Sequence, residues 1–486
     1  MEYKQSSNLI LQTQLFLDDH NFKEENNNAQ TVVASIGLVH IDALLQEISD
    51  SYRENGSIGI INSLSKLLVC ARNAINYHIK FKELSINQWI VDMLGTNHSI
   101  ENQNIAIDLI TNLANQPEDF FLTDLIECNV ISALIDLYYK RCDDNIIIVQ
   151  ALSFIISKNV NYRNQVLENI ELNQFFSPLL SNSTGESNHL TIYLNFLWNV
   201  LIWEDLPNDA VQLYFAFAKR ILPQWINKST IISDLFNIIR EKISDHPNFQ
   251  TFVREIDLIS RVFETLETVL AFLDYTKPKT KYHINEEHNP NKFNDLIKSL
   301  VCFLGVTFEQ PIETEINFVL LRKLVEHPKK DIKIVTIFAI GNLFESMPET
   351  IAIFNESNLF QTLYYYIENE DAETKIESVI CCSTAICFST NEMRQKFIEN
   401  NFLPILCDTL AVKEIGLRYL VVRAVISIID TICIGFGNQA ALEAMEDADI
   451  SGIFDYIDEL TPDNEFIAAL NDLKTKIEEI KSNEES

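Results

Sequence analysis

Apolar residues recur along most of this chain at the spacing of amphipathic helices, in short segments that alternate with longer ones. Six short segments each end on an apolar residue, at Leu94, Leu137, Leu180, Leu324, Ile367 and Leu410. Their separations are 43, 43, 144, 43 and 43 residues. Because two separate runs share one spacing, the pattern predicts a structural repeat of about 43 residues.

A longer apolar helix follows each short segment after a polar turn such as GTNHSIEN or ENEDAE. These second helices place apolar residues at i, i+3 and i+4, on a broad face. In each long helix one position, which we call the second-helix anchor, lies 17 to 19 residues after the apolar residue that ends the preceding short segment. These anchors are Asn112, Phe154, Asn199, Asn342, Ala385 and Ile428. Such a helix buries its apolar face only against neighbours, so the sequence predicts stacked helical units, a solenoid.

A period of about 40–47 residues with two or three helices is typical of armadillo and HEAT repeats. We therefore predict an all-α, right-handed superhelical armadillo solenoid of about 9–10 repeats over residues 58–457. Residues 1–57 are predicted to form an acidic and polar segment with a capping helix, and residues 458–486 a C-terminal capping helix with an acidic tail. The 144-residue gap fits three periods with a surface insertion at 275–294, or two periods with a larger insertion.

Composition narrows the functional classes. The chain has 69 acidic and 37 basic residues, a formal charge of −32, which disfavours nucleic-acid binding because the phosphate backbone requires a basic surface. Its 30 Phe and 15 Tyr residues argue against a disordered acidic chain. With only 11 Gly and 12 Pro residues, turn-rich β folds are disfavoured as well.

Cysteine usage and motifs exclude further classes. Nine cysteines, several inside apolar runs, predict buried thiols in a reducing compartment, with Cys381, Cys382 and Cys387 in the core. The longest apolar stretch, 420–436, carries Arg423 and Asp430, so we predict no membrane segment. The sequence shows no phosphate-binding loop, nucleophile elbow or metal motif, and we expect no enzymatic activity, no cofactor and no metal.

Three stretches resemble the armadillo repeats of importin alpha: ENQNIAIDLITNLANQPEDFFLTDLIECNVISALIDL, SKNVNYRNQVLENIELNQFFSPLL and KIVTIFAIGNLFESMPETIAIFNESNLFQTL. The resemblance covers about residues 58–200 and 320–457. It implies a nuclear transport adaptor of the cytoplasm and nucleus that binds basic signal-bearing cargo along a concave groove, with importin beta and an export factor as further partners. Residues 1–57 contain only three cations, so the chain resembles a divergent member without the basic importin-beta-binding arm.

The resemblance also implies which residues contact the cargo. In importin alpha, a Trp packs on the stem of a cargo Lys or Arg, and an Asn four residues later bonds the extended peptide backbone. Positions i and i+4 share one helix face, and Asn offers both a donor and an acceptor. The expected peptide-binding residues are Asn112, Asn199 and Asn342 in the asparagine column, and Asp108, Asn195 and Phe338 in the tryptophan column.

Two alternatives stay open at this point. The asparagines could instead pair with backbone carbonyls between layers, whereas Asp108 could supply charge attraction where a Trp is missing. At the level of the whole chain, an armadillo scaffold that has lost signal-peptide binding could recruit another protein partner. A strongly negative solenoid attracts basic peptides, which favours retaining the adaptor hypothesis.

Overall fold

The computed structural model describes residues 78–115, 119–141, 145–176, 187–203, 206–273, 290–410, 418–451, 454 and 464–484. All regular elements in these ranges are helices. The chain divides into two compact units, Met1–Asp205 and Leu206–Ser486, which we call the N-terminal and C-terminal units. The predicted segment 1–57 and its capping helix lie outside the described residues.

In its described residues, the N-terminal unit contains three successive sets of three helices. Their bounds are α1 His78–Glu83, α2 Ile86–Asp92, α3 Ile100–Ala114, α4 Phe120–Glu127, α5 Val130–Lys140, α6 Ile146–Lys158, α7 Val160–Asn169, α8 Leu172–Phe175 and α9 Ser187–Leu201. The third helix of each set is the longest, and α6 packs between α3 and α9. This unit therefore repeats every three helices, as the period predicted.

The C-terminal unit alternates short and long helices from Phe318 onward, whereas the helices within residues 208–273 depart from this pattern. Its bounds are α10 Asn208–Ile221, α11 Trp225–Ile238, α12 Phe249–Glu255, α13 Leu258–Leu273, α14 Pro290–Thr307, α15 Phe318–Val325, α16 Lys330–Ser346, α17 Thr350–Glu356, α18 Leu359–Asn369, α19 Ala372–Phe388, α20 Asn391–Glu399, α21 Phe402–Leu410, α22 Arg418–Phe436, α23 Asn438–Asp447 and α24 Asn464–Glu484. A 3₁₀ turn at Leu222–Gln224 precedes α11, and a π-helical segment at Ile239–Ile243 follows it.

The long helices stack side by side, and we call them the stacking helices. In the N-terminal unit they are α3, α6 and α9, and in the C-terminal unit they are α11, α14, α16, α19, α22 and α24, each packed on the next. All six second-helix anchors predicted from the sequence fall on stacking helices. Two further stacking helices, α11 and α14, lie in the sequence between Asn199 and Asn342, which agrees with the three-period interpretation of the long gap.

A left-handed residue joins the first two helices of most repeats. These residues are Ser85, Asn129, Asp257, Asn358 and Asn401, with φ angles from 52° to 62°, and Asp449 adopts the same conformation after α23. Asn and Asp enter this region at less cost than other residues with a Cβ, because their short polar side chains bond locally. The chain thus makes its tight repeat turns with few glycines.

Aromatic side chains fill the space between successive repeats. In the N-terminal unit, Tyr138 of α5 stacks on Phe175 of α8 with ring centroids 4.3 Å apart, and Phe175 lies 5.2 Å from Phe196 of α9. In the C-terminal unit, Phe344 of α16 meets Phe354 of α17 edge to face at 5.5 Å. Since full burial of such a side chain contributes about 1.5–3 kcal/mol, these contacts hold neighbouring repeats together.

The predicted surface insertion ends earlier than the sequence pattern indicated. Residues 275–289 lie outside the described part of the chain, but residues 290–294 form the first turn and a half of α14. Helix α14 therefore begins inside the stretch that the sequence pattern assigned to the insertion. Proline is favourable at the first helical position because its fixed φ suits the helix and no partner is needed for its missing N–H, so Pro290 can begin α14.

Helix α22 has the length and mean hydropathy of a membrane-spanning helix. It carries Arg423 and Asp430 and buries one face, which includes Val421, Val425 and Ile428, between α19 and α24. A core helix of a solenoid passes the same test of length and composition. The C-terminal helix α24 covers the other side of α22, and Lys476 of α24 pairs with Asp430 at 2.6 Å.

Candidate peptide-binding face

Each stacking helix other than the terminal α24 leaves a stripe of exposed or half-buried residues at three- and four-residue spacing, which we call its open face. On α3 the stripe includes Asn104, Asp108 and Asn112, and on α16 it includes Phe338, Asn342 and Glu345. The remaining sides of these helices are buried against the neighbouring stacking helices and the shorter helices. A binding partner can therefore reach the stacking helices along these stripes.

The two predicted residues of α3 lie together on its open face. Asp108 is exposed and Asn112 is half-buried. The side-chain amide of Asn112 donates to the backbone carbonyl of Asp108 at 2.7 Å, one turn earlier on the same helix. The structure thus keeps both side chains at a surface that a ligand can reach, with this amide hydrogen bond made within the helix.

The predicted residues of α9 differ from each other in environment. Asn195 is exposed, whereas Asn199 is half-buried and reaches the preceding stacking helix. Its side-chain amide donates to the backbone oxygen of Ser153 at 3.0 Å and to the hydroxyl oxygen of Ser153 at 2.8 Å. These two bonds use both amide hydrogens of Asn199, so only its side-chain oxygen remains to accept from a ligand.

The predicted residues of α16 repeat this arrangement in the C-terminal unit. The side-chain amide of Asn342 donates to the backbone oxygen of Gly305, on the preceding stacking helix α14, at 3.0 Å. Phe338 stands one turn earlier with 43% of its surface exposed. A Cβ placed on Gly305 would lie 3.5 Å from Phe338 and Ala339, so α14 and α16 approach closely at this point.

The asparagine column therefore has a structural role in both units. Asn199 and Asn342 each donate a hydrogen bond from one stacking helix to a backbone carbonyl of the stacking helix before it. This is the alternative role considered from the sequence, in which the asparagines pair with backbone carbonyls between layers. The two bonds span different separations, 46 residues for Asn199 and 37 for Asn342, whereas Asn112 bonds within its own helix. Trp203 makes a related contact, since its indole N–H donates to the backbone oxygen of Ile156 at 3.2 Å.

Three stacking helices carry a carboxyl group in the middle of the open face that has no hydrogen-bond or ion-pair partner among the described residues. They are Asp108 of α3, Asp234 of α11 and Glu377 of α19. Burial raises the pKa of Asp108, that of Asp234 to about 6 and that of Glu377 to about 7. Some other carboxylates of the stacking helices form ion pairs, as Asp331 does with Lys298 at 2.9 Å and Asp430 with Lys476 at 2.6 Å.

The sequence pattern predicted Asp108 as a site residue but not Asp234 or Glu377. Both follow from spacing once the helices are placed, because each lies at i+3 or i+4 from other half-buried residues of its stripe, such as Ile231 and Ile238 or Ile380. The chain has 69 acidic residues, so composition does not single out these two. Their lack of a partner is a property of the fold.

Cysteines and metal-binding groups do not form a site in the described ranges. Cys381 and Cys382 are buried in α19 and Cys387 is half-buried, and burial raises the thiol pKa of all three. These thiols therefore have little thiolate character at neutral pH. No group of three or more His, Cys, Asp or Glu side chains in the described residues is arranged to hold a metal ion.

Comparison with known structures supports the assignment of the fold. The structure of an engineered protein matches with a TM-score of 0.62 and 14% identity, covering 90% of this chain and 98% of that one. A structure from work on a phosphorylation switch that controls the interaction between cadherin and beta-catenin matches with a TM-score of 0.57 and 12% identity, covering 89% of this chain and 80% of that one. The fold is an armadillo-like all-α solenoid.

Comparison of the amino-acid sequence with known families and proteins assigns this chain to no family. No family model matches the chain, and no curated protein sequence shows significant similarity to it. At 12–14% identity the structural matches establish the fold alone. What the armadillo-like solenoid binds must therefore be argued from its own residues.

Proposed function

We propose that this protein is an armadillo-like scaffold that binds basic segments of partner proteins on the open faces of its stacking helices. The supporting observation is a set of three carboxyl groups, Asp108, Asp234 and Glu377, on three of these helices, for which the described part of the chain supplies no hydrogen-bond or ion-pair partner. An ionised carboxylate that is partly removed from water and has no counter-charge destabilises the fold. A Lys or Arg of a bound partner would supply that counter-charge.

The overall charge favours the same class of partner. A formal charge of −32 attracts basic segments over distance and raises their rate of association. The Debye length falls from about 30 Å at 0.01 M salt to about 8 Å at 0.15 M, so this attraction weakens with salt. Binding of a basic segment is therefore expected to depend steeply on ionic strength.

Nuclear import is the narrower form of this proposal. The resemblance to importin alpha suggests cargo with a basic nuclear-localisation signal, partners such as importin beta and an export factor, and residence in both cytoplasm and nucleus. Asn199 and Asn342 keep a side-chain oxygen that could accept from the N–H of an extended peptide, although their amides are used between helices. A scaffold that recruits a different partner is the alternative, and this use of the amides favours it.

Peptide titration tests the proposal directly. A fluorescent Lys- and Arg-rich peptide and an acidic peptide of equal length would be titrated with the protein at about 0.05 and 0.3 M salt, with fluorescence anisotropy as the readout. We expect the basic peptide alone to bind, more weakly at high salt. Absence of binding to the basic peptide at both salt concentrations would refute the proposal.

A charge-matched pair of variants locates the binding face. The triple variant Asp108→Asn, Asp234→Asn, Glu377→Gln should bind the basic peptide more weakly. The control Asp136→Asn, Glu356→Gln, Glu399→Gln removes the same charge from exposed positions on α5, α17 and α20 and should retain binding. Equal loss in the two variants would assign the attraction to net charge and not to the open faces.

Affinity capture separates the two forms of the proposal. Recovery of importin beta, an export factor and several basic cargoes from a cell extract would support import. Recovery of one stoichiometric partner without transport factors would support the scaffold. The triple variant serves as the control for capture through the open faces.

A further inference from the structure

Helices α16 and α19 run side by side in the same direction. Near their starts, Lys330 of α16 pairs with Asp371 at 2.8 Å and with Glu373 at 2.6 Å. Farther along both helices, a Cβ on Gly341 would lie 3.9 Å from the Cα of Cys381. Phe338 and Glu377 each lie about one turn before this second contact, on the open faces of the two helices.

The surface around these two residues is mostly apolar. Phe338 is 43% exposed, and Ile334, Ile376 and Ile380 are half-buried on the same two stripes. We call this set, together with Glu377, the α16–α19 face. An exposed Phe bordered by isoleucines is an apolar patch of the kind that binds another protein.

Glu377 is the carboxyl group within this apolar surface. It is half-buried, and its carboxyl makes no hydrogen bond or ion pair within the described part of the chain. The nearby cations of α16 are already used, since Lys330 binds Asp371 and Glu373, and Lys333 binds Glu370 at 2.6 Å. Among the described residues no cation forms an ion pair with Glu377, and Lys375 lies two residues earlier on α19.

We propose that the α16–α19 face binds a segment of a partner protein in which one Lys or Arg is flanked by apolar side chains, with the cation at Glu377 and an apolar side chain on Phe338. This inference rests on the proposed function and narrows its ligand. Charge complementarity identifies the occupant: a single carboxylate accommodates one cation, and the isoleucines around it favour apolar neighbours over further charges.

Other charged and titratable groups lie on the helices packed against α19, and none of those described forms a hydrogen bond or an ion pair with Glu377. Arg394 of α20 donates to the backbone oxygens of Ile386 and Cys387, at the far end of α19. Other groups of this kind on the described parts of these helices include Glu345 of α16, Tyr364 of α18, Cys407 and Asp408 of α21, and Tyr419 and Arg423 of α22, and Lys375 lies two residues before Glu377 on α19 itself. Burial is the cause that raises the pKa of Glu377 to about 7, so the carboxyl must lose a proton before it pairs with a cation.

Three labelled peptides test this inference on the full chain. The first has one Lys between Leu and Phe residues, the second replaces that Lys with Gln, and the third is polybasic. We expect the first to bind at least tenfold more tightly than the second. Equal binding of the first two peptides would overturn the inference.

Matched variants assign the contacts. Glu377→Gln should lower affinity for the Lys peptide roughly tenfold and leave the Gln peptide unaffected, and Phe338→Ala should weaken both peptides. Glu356→Gln, an exposed carboxylate on α17, is the control and should change neither. Unchanged affinity for the Lys peptide in Glu377→Gln, with circular dichroism showing a folded protein, would also overturn the inference.

A pH series gives a readout that packing changes alone would not produce. With a free pKa of about 7 for Glu377, affinity for the Lys peptide should fall roughly tenfold between pH 8 and pH 6 in the unmodified protein and stay nearly constant in Glu377→Gln. A pH dependence that persists in the variant would contradict the role of Glu377.

The outcomes also separate this inference from the broader proposal. Binding of the polybasic peptide with sensitivity to Asp108→Asn, but no binding of the Lys peptide, would overturn the α16–α19 inference alone. Failure of every cationic peptide would overturn both. Preference for an acidic peptide, or self-association at this face measured by sedimentation, would replace the proposed occupant with another.

Discussion

The side-chain amide of Asn342 donates to the backbone oxygen of Gly305 across two stacking helices, at 3.0 Å. Gly305 is buried in α14, and Asn342 reaches it from the edge of the open face of α16. Asn199 makes the equivalent bond to Ser153 in the N-terminal unit. A polar side chain at the boundary between surface and core thus links repeat to repeat.

Loss of this link should lower stability. Asn342→Ala removes the donor and leaves the carbonyl of Gly305 with one partner fewer, which is expected to reduce the free energy of unfolding by about 1 kcal/mol. Urea denaturation followed by circular dichroism measures the change. Asn369→Ala is the control, because the amide of the exposed Asn369 donates to the carbonyl of Tyr365 on its own helix and so links no two helices. Equal effects of the two variants would contradict a specific inter-helix role.

Gly305 should accept a methyl group but nothing larger. A Cβ there would lie 3.5 Å from Ala339 and Phe338, an ordinary van der Waals distance. Because Gly inside a helix is roughly 0.5–1 kcal/mol less favourable than Ala, Gly305→Ala is expected to leave stability unchanged or raise it slightly. Gly305→Leu should separate α14 from α16 and lower the free energy of unfolding by roughly 1–3 kcal/mol. Thermal unfolding of the two variants, compared with the unmodified chain, decides the matter.

The left-handed turn residues predict a selective response to substitution. Asn358, with φ of 60°, joins α17 to α18. Asn358→Gly should preserve or slightly raise stability, since Gly adopts this conformation without penalty, whereas Asn358→Val should lower it by about 1–2 kcal/mol. Equal urea midpoints for the two variants would show that the turn can change its conformation.

Glu377 should make stability depend on pH. Its folded-state pKa is raised to about 7 from an ordinary value of 4.5, so the folded protein holds a proton that the unfolded chain has already released. This contribution to stability is complete below about pH 4.5 and is lost as the pH rises through 7. Glu377→Gln should therefore be more stable than the unmodified protein at pH 8, by up to roughly 3 kcal/mol, with the difference shrinking toward pH 4.5.

Denaturation at several pH values measures this effect. Glu356→Gln is the control, because this exposed residue should leave the pH profile unchanged. If Glu377→Gln and the unmodified chain showed parallel profiles from pH 4 to pH 8, burial of the Glu377 carboxyl would be refuted.

Much of the fold could be predicted because helical repeats leave a periodic signal in sequence. The 43-residue spacing located the stacking helices that carry Asn112, Asn342 and Ile428, and burial of their apolar stripes required stacking. The turn residues Asn129, Asn358 and Asn401 carry a second recurring pattern, Glu-x-Asn followed by an apolar residue. These turns contain no glycine, the residue that usually marks a left-handed turn in a sequence. In the region of α10 to α13 the helix lengths depart from the repeat, so spacing alone located no boundaries there.

The candidate site was less predictable for a physical reason. An Asn at the edge of a helix face can donate inward to a neighbouring backbone or outward to a ligand, and residue type and spacing are the same in the two cases. Only the position of Gly305 relative to Asn342 distinguishes them. Likewise, Glu377 differs from the exposed glutamates in being half-buried, which raises its pKa and depends on residues distant in sequence.

Stacking of each long helix on its immediate neighbours also determines how the C-terminal unit should respond to force. Helix α16 packs against α14 and α19, so detaching one end exposes the next interface without loading the distant ones. Pulling on the chain in an optical trap would then extend this unit in a series of increments, each close to one repeat in contour length, and the weakest interface would yield first.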